Sequence, residues 1–109
     1  MAIPHAQPAE LIDVGPLGDR LSTAQTTTLV KTDAIEVIRL VVPAGKEFPA
    51  HQVAGSITLQ CLEGRILFRA GEGDCEMTPG QLIYLRGSQE HSLRAEADSS
   101  LLLTIVLET

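Results

Sequence analysis

The stretch 59-LQCLEGRILFRAGEGDCEMTPGQLIYLRG-87 decides the fold. Short runs rich in Leu, Ile, Phe and Tyr alternate there with the breakers Glu63-Gly64, 71-GEGD-74, 79-PG-80 and Gly87. Such runs are strands joined by tight turns, because glycine supplies backbone angles closed to other residues and proline cannot donate to a ladder. No window longer than about ten residues holds a helical period, so little or no helix is expected.

Outward from that stretch the same reading gives further strands. They fall at 26-TTTLVKT-32, 34-AIEVIRLVV-42, 56-SITLQCL-62, 65-RILFRA-70, 75-CEM-77, 81-QLIYLR-86, 91-HSLRAE-96 and 99-SSLLLTIVL-107. Turns recurring at about ten-residue intervals mark an all-β sandwich or barrel. Segment 10-ELIDVGPLGDRL-21 reads as a short strand and turn, with Gly15, Pro16 and Gly18 opposing a helix. Residues 1–9, with Pro4 and Pro8, read as a flexible or loosely docked arm, and 10–109 as one barrel domain. A chain of 109 residues holds one core. With aromatics at only 3%, Leu, Ile and Val must fill it.

The net charge of −6 argues against nucleic acid and anionic membrane surfaces as partners. The start, 1-MAIPHAQPAE, lacks a basic segment followed by an apolar run, so no signal peptide is expected. The apolar run 101-LLLTIVL-107 is too short to span a bilayer. Cys61 and Cys75 lack C-x-x-C spacing and read as reduced thiols of a cytoplasmic protein. In 101-LLLTIVL-107 and 37-VIRLVV-42, successive apolar residues point to opposite faces of a sheet. The outer face therefore needs a cover, from the N-terminal segment or from a second copy, and a homodimer is expected.

From Pro43 to Leu107 the chain resembles a small single-domain cupin of the conserved-barrel type. Gly45, then five residues, then His51, closing at Gly64 in 61-CLEG-64, matches the first motif. The second motif is matched by 79-PGQLIYLRGSQEHSL-93, with His91 as its histidine. The resemblance implies an all-β double-stranded β-helix, a jelly-roll barrel with its site inside the mouth. It also implies four metal ligands, of which His51 and His91 stand in place. Val53 occupies the position of the second histidine of the first motif, Ile57 that of its glutamate, and Ala95 that of the second-motif asparagine.

His51 and His91 are thus the candidate metal ligands and the candidate catalytic residues. Zinc sites want three or four N, S or O donors, and non-haem iron two histidines and a carboxylate. Cys61 is a possible third ligand by strand parity, and Gln60 another if a bulge shifts the register. A divalent transition metal (Fe, Mn, Zn or Ni) is expected to bind weakly or not at all with two ligands replaced. Phe48, on the loop before His51, together with Val53, Ile57, Leu59 and Tyr84, is expected to line the pocket. A small-molecule ligand is the expected partner. Three functions follow: a metal-dependent enzyme acting on a small organic molecule, a non-catalytic binding or sensing domain, or a metal-free enzyme with His91 as base. The bland alternative is that both imidazoles are interior groups satisfied by hydrogen bonds.

Overall fold

The computed structural model describes residues 5–71 and 73–107. Among them run nine strands: β1 (Thr27–Lys31), β2 (Ile35–Val42), β3 (Glu47–His51), β4 (Ile57–Glu63), β5 (Ile66–Ala70), β6 (Gly73–Met77), β7 (Leu82–Leu85), β8 (His91–Ala95) and β9 (Ser99–Val106). One sheet has the order β1-β2-β9-β4-β7, the other β3-β8-β5-β6. Every ladder is antiparallel. The two sheets form an all-β jelly roll: the turn spacing predicts a sandwich or barrel, and the family resemblance implies the jelly-roll form.

Side chains alternate across each strand, so cross-strand partners share a face. On the five-stranded sheet the row Leu85–Ile57–Ile105 and the row Ile83–Leu59–Leu103–Ile38 point inward, with Cys61 beside Leu101. They meet Ile66, Phe68, Leu93 and Ala95 of the other sheet, and Ile66, Phe68, Cys61 and Leu101 are fully buried. Burying a Leu, Ile or Phe side chain contributes roughly 1.5–3 kcal/mol, so the aliphatic rows carry the barrel despite scarce aromatics.

The outer face of that sheet is apolar too. Tyr84–Thr58–Thr104–Val37 form one cross-strand row, Leu82–Gln60–Leu102–Arg39 the next, and Val106 lies beside Ile35. The chain's own N-terminal segment covers one end of this face. The Glu63 carboxylate accepts the Leu17 and Gly18 N–H groups at 2.9 and 3.2 Å, and Arg39 donates to the Gly15 carbonyl. The other end stays open, with Tyr84 63% and Leu82 60% exposed.

Three sequence expectations need correction. Residues 10–17 form no strand, and Gly18–Thr23 is a 3-10 helix, since the Glu63 carboxylate takes up N–H groups that a strand would need a sheet edge to satisfy. The stretch before His51, expected to be loop, is strand β3 despite Pro49, which is tolerated because β3 lies at a sheet edge. Strand β6 starts at Gly73 rather than Cys75, because Ala70 pairs with Gly73 and Arg69 clamps Asp74 at 2.6 and 3.1 Å. Of the expected arm, residues 1–4 lie outside the described part, and the Ala6 N–H donates to the Leu29 carbonyl at 2.8 Å.

Two glycines are fixed by space. Gly64 has φ +93°, and a Cβ there would overlap the Ser99 hydroxyl and the Asp98 carbonyl. At Gly87 a Cβ would overlap the Ala54 carbonyl, where the loop after β3 packs on the turn after β7. The Ser88 N–H locks that contact by donating to Val53 at 2.7 Å.

Candidate functional site

His51 ends β3 and His91 begins β8, and the two are cross-strand partners. Their ring centroids lie 4.3 Å apart with the planes tilted by 59°. His51 is exposed and His91 is buried, so the pair leads from the surface inward. Phe68 stacks near-parallel to His91 at 5.8 Å and holds that ring from the core side. A bulge makes this convergence possible. Phe48 pairs with Leu93 and His51 with His91, so three steps along β3 match two along β8. In an unbroken strand Phe48 and His51 would face opposite sides, and the extra residue turns both to one cavity.

That cavity, about 340 Å³, lies between the sheets. From the five-stranded sheet it is walled by Leu40, Ile57, Leu59, Leu103 and Ile105; from the other side by Phe48, Pro49, His51, His91 and Leu93, with Val53 from the loop. Among the described residues the imidazoles are its only ionisable lining groups. Each ring is fixed at Nδ1: His51 lies 2.9 Å from the Pro49 carbonyl oxygen and His91 3.0 Å from that of Gln89. A carbonyl only accepts, so Nδ1 carries the hydrogen in both rings, and Nε2 is the ring nitrogen left without a described partner.

His51, His91, Phe48, Val53, Ile57 and Leu59 all line this one cavity. Tyr84 does not: it lies in the outer row with Thr58 and is not part of the cavity wall. Leu40, Leu93, Leu103, Ile105 and Pro49 escaped sequence reasoning. Inward parity on β2, β8 and β9 would have found the four aliphatics, once the direction of each strand was known.

The donor set of the described residues does not fit a resident transition metal. Gln60 is in the outer row between Leu82 and Leu102, because the bulge in β4 falls after it, between Cys61 and Glu63. The Cys61 thiol is buried away from the cavity, 3.7 Å from the Glu63 carbonyl, and burial pushes its pKa up, which keeps the thiolate form out of reach. Glu90 does not line the cavity; it lies in a neighbouring polar cleft with Arg69, Arg86 and Gln89, and His91 borders both. Among the described residues no group of three His, Cys, Asp or Glu is placed to hold an ion. Two imidazoles fall short of the three protein ligands that catalytic zinc sites use.

The fold and the cavity define a class: a small jelly-roll barrel whose interior opens between two antiparallel sheets. A family model described as the cupin domain matches residues 38–107. The chain belongs to the cupin family. Among solved structures it is similar to a cupin superfamily protein from Desulfitobacterium hafniense, at 13% identity and a TM-score of 0.77, over 94% of this chain and 100% of that one. An RmlC-like cupin protein from Desulfovibrio desulfuricans is 21% identical with a TM-score of 0.69, over 94% of this chain and 98% of its own. A variant of salicylate 1,2-dioxygenase from Pseudoaminobacter salicylatoxidans is 17% identical with a TM-score of 0.69, over 73% of this chain and 25% of its own. At these identities the likeness establishes the fold. No curated protein matches the sequence. Among the described residues no helix is long and apolar enough to cross a membrane.

Proposed function

We propose that the protein binds a compact, largely apolar small molecule between its sheets, without a resident metal. The observation that carries this reading is the wall: nine of the cavity's eleven described lining residues are aliphatic, proline or phenylalanine, and the other two are the imidazoles. A volume of about 340 Å³ suits a molecule of one ring or a short branched chain. The replacements at Val53 and Ile57 support binding over metal chemistry, since each puts apolar surface where the family resemblance implies a charged or coordinating group. Catalysis would need an electrophile or an oxyanion stabiliser, and among the described residues the cavity lining supplies no group for either beyond the two rings.

The test combines two measurements. Metal analysis of untagged protein, before and after incubation with Fe(II), Mn(II), Ni(II) and Zn(II), is expected to show no stoichiometric metal. Methyl NMR with p-xylene is expected to shift Ile57, Leu103 and Ile105. Metal retained by the wild type and lost from a His51→Ala, His91→Ala double variant would overturn the metal-free reading. Unmoved methyls would overturn the binding reading.

We also propose that a second copy of the chain covers the open end of the outer face. Ile35, Leu82, Tyr84 and Val106 are exposed there and uncharged, while Arg39 and Glu63 on the same face are engaged with each other and with Gly15, Leu17 and Gly18. An uncharged patch lets two chains of net charge −6 approach without like charges in contact. The free thiols of Cys61 and Cys75 agree with a reducing compartment, and the cytoplasm is the proposed location.

A further inference from the structure

We infer that the cavity's ligand carries a neutral hydrogen-bond donor, a phenolic or alcohol hydroxyl, which it offers to Nε2 of the imidazole pair. This rests on the reading of the cavity as a binding site. Because Nδ1 of His51 and of His91 must donate to Pro49 and Gln89, a neutral ring at either position keeps its lone pair on Nε2. No hydrogen bond from a described residue reaches either Nε2. Arg39 Nε is the one partnerless side-chain nitrogen or oxygen sealed from accessible space among the described residues, so Nε2 of buried His91 opens to accessible space.

An apolar chamber whose described lining, with neutral rings, offers acceptors and no free donor sorts ligands by their polar end. A hydroxyl donates to Nε2 and leaves no group unmade. An ether or ketone brings a second acceptor against the first and loses its own water. A carboxylate brings a charge that a pair of neutral rings does not neutralise, and an ammonium gives up its hydration against aliphatic walls. The exposed His51 retains access to water, so the buried His91 is where the ligand's donor matters most.

The experiment compares four molecules of one shape: p-cresol, 4-methylanisole, p-xylene and p-toluate. Affinities are read from the methyl resonances of Ile57, Leu103 and Ile105. The expected result is that p-cresol binds roughly fivefold or more tighter than 4-methylanisole, with p-toluate weakest. In a His51→Phe, His91→Phe double variant the preference for p-cresol is expected to vanish while p-xylene still binds. Equal affinity of the wild type for p-cresol and 4-methylanisole overturns this inference and leaves the binding reading intact. If none of the four moves the methyls, the binding reading falls and the inference with it. The wild-type series decides the question even if the double variant does not fold.

Discussion

Glu63 on β4 and Arg39 on β2 form an ion pair of 3.5 Å across β9, with both side chains largely buried on the outer face of the five-stranded sheet. The Ser100 hydroxyl between them donates to Glu63 at 2.6 Å. The bulge after Cys61 puts Glu63 on this face; unbroken alternation from Ile57 would have pointed it into the core. Glu63 also accepts the Leu17 and Gly18 N–H groups, so one carboxylate ties the N-terminal segment to the barrel. Replacing Glu63 by Ala is therefore expected to strand a buried guanidinium and to destabilise the fold by about 3 kcal/mol. Urea unfolding checks this, and a change within error of zero would show that the pair is not buried in solution.

The same carboxylate sets a pH dependence. Burial alone would raise its pKa, but the N–H groups of Leu17 and Gly18, the Ser100 hydroxyl and Arg39 together hold it below the usual glutamate range. A folded-state pKa below the unfolded one contributes stability above the unfolded value, about 4.3, and loses it as pH falls through the folded value. Wild-type protein should thus lose stability on acidification below that point, and a Glu63→Gln variant should show a shallower dependence. Midpoints of thermal unfolding between pH 3 and pH 7 provide the comparison.

Gly64 and Gly80 share a left-handed backbone, with φ of +93° and +92°, but differ in their surroundings. Alanine at Gly64 meets Ser99 and Asp98, whereas at Gly80 nothing lies within 4 Å. Gly64→Ala is expected to cost about 3 kcal/mol or more, and Gly80→Ala about 1–2 kcal/mol from the backbone alone. Equal losses in chemical denaturation would show that crowding at the β4–β5 turn has no consequence.

Filling the cavity separates ligand from fold. Leu103→Trp places an indole in space that is already open, so stability should change by less than about 1.5 kcal/mol. Binding of p-xylene should be abolished. Retained binding in a folded variant would locate the ligand elsewhere.

On the outer face, Tyr84→Glu and Leu82→Lys put charge into the patch proposed to meet a second copy. Each variant should be folded and monomeric by light scattering at micromolar concentration, while the wild type has the mass of a dimer. A wild-type monomer would remove the proposal.

The barrel was legible because glycine and proline punctuate strands of the right length, and His51 and His91 located the cavity through their place in the motifs. Facing was harder. In 82-LIYL-85 every residue is apolar, so nothing local distinguishes Leu82 and Tyr84, which point out, from Ile83 and Leu85, which point in. The same two-sided apolarity hid Leu103 and Ile105. Strand β3 was obscured by Pro49 in 47-EFPAH-51, and its bulge is a tertiary matter, set by pairing with β8. The anchoring role of Glu63 was equally hidden, because it depends on contacts with residues 37 and 46 positions away.

The extra residue in β3 has a consequence for how such a cavity changes over time. Deleting Ala50 would restore plain alternation and swing one side of the wall outward without altering any lining residue by substitution. The chemistry of this chamber is thus written partly in the spacing between residues: a one-codon deletion could exchange its imidazole for solvent-facing surface in a single step.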